Sequence, residues 1–268
     1  MDASAEAPLV TYELRGAVAV VTLNRPEKRN AISDRVVAAL DEAVSRATAE
    51  AKAAVICGAG PHFSAGLDLA EHVEKTLIEA VENSRTWHRV FDRIQRGCIP
   101  WVASLQGAVV GGGFELAAST HIRVADPGAY FALPEGSRGI FVGGGGSVRI
   151  ARLIGAARMA DMMLTGRTVP AAEMERWGGV SYIAPEGEAF EMALKLAERT
   201  AQNAPMSNYA ILNALPRIQD MSSEDGLFTE SIMSALASAT PEAEERLRAF
   251  LEKRAGKVEA PAGGGGNA

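Results

Sequence analysis

Short apolar or β-branched runs, each ended by a glycine or proline break, alternate along this chain with stretches of helical period, which leaves few folds open. Val18–Leu23 is such a run, broken by Asn24-Arg25-Pro26, and reads as a buried strand followed by a loop. Ser33 then offers an N-cap to a helix of about four turns in which Val36, Val37, Leu40, Val44 and Ala47 recur at helical spacing. Ala53–Cys57 is the next short strand, closed by Gly58-Ala59-Gly60-Pro61. Val81–Ile94 has helical period and ends at Gly97 and Pro100, after which Trp101–Leu105 returns as a strand. Gly111-Gly112-Gly113 opens a helix through Ser119, His121–Ala125 and Tyr130–Leu133 read as short strands, and Ser147–Ile154 is helical. Repeated strand–strand–helix units of this kind predict an α/β fold with parallel pairing.

From Ala157 onward strand signals nearly vanish. Pro170–Arg176, Ala189–Ala201, Tyr209–Leu215, Asp225–Ala239 and Glu242–Arg254 all read as helices, a helical end expected to serve packing or assembly. The expected division is a flexible N-terminus over 1–8, a core domain over 9–200, a C-terminal helical oligomerisation region over 201–258 and a low-complexity, disordered tail over 259–268. Ile211, Leu215, Leu227, Phe228, Ile232, Leu236, Leu247 and Leu251 give the late helices more apolar surface than a short appendage can bury by itself, which predicts a homo-oligomer.

Composition narrows the function. At 47% hydrophobic and 22% charged, 268 residues suffice for one large domain or a domain with an appendage. The longest apolar runs, Gly16–Leu23 and Trp101–Val110, are too short to span a bilayer. Met1–Pro8 carries no basic region followed by an apolar stretch, so a soluble cytoplasmic protein without membrane partners is expected. Two cysteines, Cys57 and Cys98, without a CxxC pair, and four histidines without partner spacing argue against a disulfide framework or a zinc site. A net charge of −6 lacks the positive excess that phosphate backbones require, so no nucleic-acid partner is expected. An anionic ligand has two candidate clusters, Arg25, Lys28 and Arg29 near the start and Arg246, Arg248, Lys253, Arg254 and Lys257 near the end. Each alone reads more simply as solvated surface charge.

Chemistry concentrates around two glutamates beside glycine-rich segments: Glu115 in Gln106–Leu116 and Glu135 in Phe131–Gly136, with Phe63–Leu69 upstream. Gly112 lies where a helix begins, so its N–H lacks an intrahelical partner and the helix dipole favours negative charge there. Backbone donors with two carboxylates suit chemistry on a carbonyl whose oxygen takes up negative charge. Taken singly, Glu115 is equally compatible with a helix-capping role, Glu135 with a surface turn, and Gly111–Gly113 with tight strand–helix packing. The second glycine run, Gly143–Gly146, reads as a tight turn beside the same place, and neither run has the spacing of a dinucleotide loop.

These segments resemble those of the enoyl-CoA hydratase/isomerase (crotonase) superfamily, hydratase type, over about Tyr12 to Lys257. The resemblance is carried by Asn24–Ala31, Ser64–Leu69, Gly111–Glu115, Leu133-Pro134-Glu135 and Ala249–Arg254. Each pattern is weak alone; their order and spacing together are specific. The resemblance implies a crotonase-like spiral of ββα units, trimers often paired into hexamers, and a thioester carbonyl seated between the N–H groups of Leu67 and Gly112. Glu115 and Glu135 match the two catalytic glutamates of the hydratases, whereas relatives that isomerise, dehalogenate or decarboxylate usually lack one. Keeping both implies water addition to a 2-enoyl-CoA, with neither cofactor nor metal beyond the CoA carried by the substrate. The CoA portion would lie against Lys28, Arg29, Ser64 and Ala65, with Phe250 and Lys253 of a neighbouring subunit at its adenine and phosphate end. Leu69, Val73, Trp87, Phe91 and Phe141 are candidates for an acyl pocket suited to short chains, crotonyl-CoA or methylthioacryloyl-CoA among them. The rival readings are a Δ3,Δ2-enoyl-CoA isomerase, an acyl-CoA hydrolase and a non-enzymatic RNA-binding or scaffold protein. Asp68 reads as a loop anchor, and His62, His72, His88 and His121 as packing or surface residues.

Overall fold

The structure, a computed structural model, describes residues 7–72 and 75–254. Most of the expected flexible N-terminus, all of the expected tail and the candidate pocket residue Val73 lie outside them. The element order is β1 (Val10–Arg15), β2 (Val18–Leu23), α1 (Asp34–Glu50), β3 (Ala53–Gly58), α2 (Leu69–His72), α3 (Leu77–Gln95), β4 (Trp101–Leu105), β5 (Ala108–Val110), α4 (Gly112–Ala117), β6 (Ile122–Ala125) and β7 (Tyr130–Ala132). It continues through α5 (Gly146–Ile154), α6 (Ala156–Thr165), β8 (Val169–Pro170), α7 (Ala171–Arg176), β9 (Tyr182–Ile183), α8 (Ala189–Ala201), α9 (Pro205–Ile218), α10 (Ser223–Ser238) and α11 (Pro241–Leu251).

Six strands form one sheet in the order β1-β2-β3-β4-β6-β9, antiparallel at β1–β2 and parallel elsewhere. A second sheet has the order β5-β7-β8 and pairs Val110 with Ala132. The β-branched runs become central strands because both of their faces are covered. On β3, Ala54 and Ile56 face α1, α3 and the main core, while Ala53 and Val55 face α8. Helix α8 offers Ala189, Ala193, Ala197 and Ala201 along one side, and these small side chains let it lie close on the sheet.

Helix α1 starts at the expected cap, with the Val36 N–H donating to Ser33 Oγ. Helix α3 begins earlier than its apolar period suggests, because Thr76 and Glu79 form a capping box ahead of it. Helix α4 stops at Ala117 rather than Ser119. There the Ser119 and Thr120 hydroxyls donate to the Leu116 and Ala117 carbonyls and compete with further helix. Strands β1, β5, β8 and β9 and helices α2 and α6 were not foreseen. The two late strands have two residues each, too few for a periodic signal.

The chain divides into two compact units, one through Asn213 and one from Ala214. In the second unit α10 and α11 expose Leu227, Phe228, Ile232, Leu236, Leu247 and Leu251. Among the described residues no helix is long and apolar enough to cross a membrane.

One buried polar residue fixes the loop after β2. Asn30 adopts a left-handed backbone (φ 53°), accepts from the Arg25 N–H, and donates to the Ala59 and His62 carbonyls. Asparagine tolerates that conformation better than most residues. Asn30→Ala should therefore cost about 2–4 kcal/mol through two orphaned carbonyls and one orphaned N–H. Chemical denaturation measures this, and an unchanged midpoint would show that the loop does not depend on these bonds.

Candidate active site

Glu115 sits in the first turn of α4, buried, on the wall of a cavity of about 450 Å³. Its Oε1 accepts from the Gly144 N–H at 2.8 Å and the Gly146 N–H at 2.7 Å. Burial raises its carboxyl above the usual value, while the N–H groups of Gly146, Gly144 and Gly143 and the nearby Arg149 guanidinium pull the other way. A Cβ on Gly146 would fall 2.8 Å from Glu115 Cγ, too close to fit without a shift, and one on Gly144 would be tight at 3.2 Å from Glu115 Cδ. Arg149 holds the loop from beneath, donating to the Gly144 carbonyl at 2.7 Å, to Gln95 Oε1 and to Asp92 Oδ1.

Glu135 lines the same cavity from the turn after β7. Its Oε2 is buried and has no hydrogen-bond partner. Burial, with the charge of Glu115 adding to it, pushes its carboxyl up to about 7. The two carboxylates thus share one cavity in different surroundings, one met by N–H donors and the other with an oxygen left unpartnered.

Leu67 and Gly112 also line the cavity. Among the described residues neither N–H has a hydrogen-bond partner. Leu67 N lies 3.5 Å from where a Cβ on Gly112 would stand, so the two donors are neighbours. That same Cβ would meet the Trp87 ring at 2.7 Å, which makes glycine necessary at 112.

Lys28 and Arg29 are exposed on a loop stitched to this segment: the Ala65 N–H donates to the Arg29 carbonyl, and Asp68 pairs with Arg25 at 3.1 Å and Lys28 at 3.6 Å. Asp68 is thus the loop anchor expected of it. Ser64 is buried, with its N–H, carbonyl and hydroxyl all bonded within the chain, so it shapes the segment. Phe250 and Lys253 lie in the second unit, where Phe250 is exposed and Lys253 has a left-handed backbone (φ 59°).

Of the candidate acyl-pocket residues, Trp87 and Phe141 line the cavity. Phe91 does not line it but packs behind, 5.6 Å from the Trp87 ring, and Leu69 is exposed away from the lining. His121 is half-buried with Nδ1 accepting from the Trp101 N–H, and desolvation of its ring drops its value to about 4; His62 Nδ1 accepts from the Ala108 N–H. His88 is exposed, as expected of a surface residue, and also borders the cavity. The main omission was the role of Gly143–Gly146, whose N–H groups seat Glu115. The signal was present, since a glycine run opening a helix presents unpaired donors.

Comparison with known proteins gives the family. The family model described as enoyl-CoA hydratase/isomerase matches residues 13–260. The chain belongs to the enoyl-CoA hydratase/isomerase family. A provisionally named enoyl-CoA hydratase of known structure from Rhodopseudomonas palustris is 52% identical, with a TM-score of 0.89 over 92% of this chain and 95% of that one. The 2,3-dehydroadipyl-CoA hydratase of Escherichia coli is 34% identical over 88% of this chain and 93% of its own length. An enoyl-CoA hydratase of Mycobacterium tuberculosis is 30% identical over 92% and 95%. The fold is therefore the crotonase fold of this family.

The raised carboxyl of Glu135 has a consequence for stability. An ordinary glutamate releases its proton near 4.5, whereas folded Glu135 holds it to about 7, so the folded state binds more protons in between. Its contribution is complete below about pH 4.5 and is lost as pH rises towards 7. Glu135→Gln should flatten that fall in denaturation midpoints taken across this range. A slope identical to that of the unaltered protein would place its origin elsewhere.

Proposed function

We propose that this protein is an enoyl-CoA hydratase that adds water across the 2,3 double bond of a short-chain 2-enoyl-CoA. The observation that carries the reading is one cavity lined by two unlike glutamates and by two backbone N–H groups without partners. The thioester oxygen accepts from the Leu67 and Gly112 N–H groups, which stabilise it as it takes on enolate charge. Glu115, whose Oε1 receives two N–H donors, serves as the base and takes a proton from water as its oxygen bonds to C3. Glu135, with its carboxyl near 7 and one oxygen unpartnered, serves as the acid and gives its proton to C2. One water is consumed, and its oxygen ends on C3. CoA belongs to the substrate, and the reaction calls for no other cofactor.

In this reading CoA lies along Lys28, Arg29 and Ala65, with Ser64 setting the shape of that segment. Trp87 and Phe141 bound the acyl end and favour a short chain, of which crotonyl-CoA and methylthioacryloyl-CoA are the specific candidates. Phe250 and Lys253 reach a CoA site from a neighbouring subunit of a trimer or hexamer. The exposed apolar positions of α10 and α11 support such an assembly.

Crotonyl-CoA should lose its enoyl absorbance on mixing with the protein alone. Glu115→Ala and Glu135→Ala should each lose on the order of 10²- to 10⁴-fold in rate. For the free enzyme kcat/KM should fall above about pH 7, as Glu135 loses its proton. Full activity in either variant removes the acid–base assignment. A migrated double bond without a hydroxyl in the product would point to isomerisation, and release of free thiol to ester hydrolysis.

The assembly has its own test. Light scattering should return a multiple of three 28.2 kDa protomers. A monomer mass with full activity at the same dilution would overturn it.

A further inference from the structure

The cavity that holds the two glutamates has a second one beside it. Arg85 and His88 line both, and the second has a volume of about 390 Å³. Helical spacing puts Arg85, His88, Arg89 and Asp92 on one face of α3, so the second cavity follows the first along that helix. Arg85 to Arg89 spans about 6 Å of helix axis, a distance that a short acyl chain crosses.

Charge in the second cavity is strongly one-sided. Arg85, Arg89, Arg96, Arg149 and Arg152 stand on its walls against the single carboxylate of Asp92. That carboxylate is already engaged, by Arg149 Nη2 at 2.8 Å and Arg96 Nε at 3.6 Å. Arg85 is exposed and, among the described residues, makes no ion pair; the Arg89 guanidinium donates to Thr86 Oγ1 and pairs with no acid. Such a pocket raises the local concentration of anions. The walls of the first cavity, Ile140, Phe141 and Val142, are apolar and suit methylenes. The Gly144–Gly146 loop borders both, with Gly144 lining the first cavity and Gly145 the second.

We propose that the arginine-lined cavity binds a carboxylate at the far end of the acyl chain, so that the preferred substrate is a short 2-enoyl-CoA ending in a carboxylate. This rests on the hydratase reading and narrows its substrate class. The reaction supplying such a substrate would introduce the 2,3 double bond into a dicarboxylic acyl-CoA. The one consuming the product would act on its 3-hydroxyl.

The test compares hex-2-enedioyl-CoA with hex-2-enoyl-CoA, which differ only at the chain end, in the unaltered protein, Arg85→Gln and Arg85→Glu. Calorimetry with adipyl-CoA and hexanoyl-CoA, which cannot be hydrated, gives the same comparison without turnover. The unaltered protein should favour the chain-end carboxylate by on the order of tenfold in kcat/KM. Arg85→Gln should remove most of that ratio, Arg85→Glu should invert it, and added salt should shrink it. Equal kcat/KM for the two enoyl chains, or a ratio unmoved by both variants, overturns the proposal. Equal weakening of adipyl-CoA and hexanoyl-CoA would assign the arginines to the phosphates of CoA and overturns it as well. If neither enoyl-CoA is hydrated, the hydratase reading fails and the calorimetric ratio decides: tighter adipyl-CoA dependent on Arg85 upholds the carboxylate site, and equal binding ends it.

Discussion

The seating of one carboxylate by two backbone N–H groups organises the rest of the site. Glu115 is almost wholly buried, where an unpartnered charge is strongly disfavoured, and the Gly144 and Gly146 N–H groups meet that charge at Oε1. For those donors to reach it, the loop must pass so close that a Cβ at Gly146 would fall 2.8 Å from Glu115 Cγ and one at Gly144 would be crowded by Phe91 and Glu115. Its path is in turn held by Arg149, which grips the Gly144 carbonyl while its other nitrogens are fixed by Gln95 and Asp92 on α3. A glutamate on α4, a glycine loop, an arginine on α5 and two residues of α3 thus form one connected unit.

Strand-like pairing holds the segment that carries Leu67. Ser64 bridges in parallel to Val109 beside β5, and Ile32 bridges to Leu67, so the segment carrying Leu67 is pinned on both sides. Its neighbouring N–H groups, at Gly66 and Asp68, are spent on Ser64 Oγ and the Ile32 carbonyl. The Leu67 N–H alone remains available, next to that of Gly112 where α4 begins. Under the proposed reaction, donors already aligned in the absence of substrate need no reorganisation as charge develops.

The two glutamates differ because their surroundings do. Glu115 receives N–H donors that favour its charge; Glu135 leaves one oxygen without a partner and feels the charge of its neighbour. Burial raises both carboxyls; N–H donors oppose that rise at Glu115, and the charge of Glu115 adds to it at Glu135.

Much of this was legible in the chain. The β-branched runs that became β2, β3 and β4, the Ser33 cap, the helix opened at Gly112 and the placement of Glu115 and Glu135 beside glycines all follow from local chemistry, because strand burial, capping and glycine's small size act over a few residues. Four things were beyond it: the bonds from Gly144 and Gly146 to Glu115, the arginine beneath them, the unmatched oxygen of Glu135, and the sharing of Arg85 between two cavities. These depend on segments about twenty to sixty residues apart meeting at hydrogen-bond distance. Sequence determines which groups are available to bond; which of them are left without a partner, and so free for a substrate, is decided when the tertiary structure assigns the others.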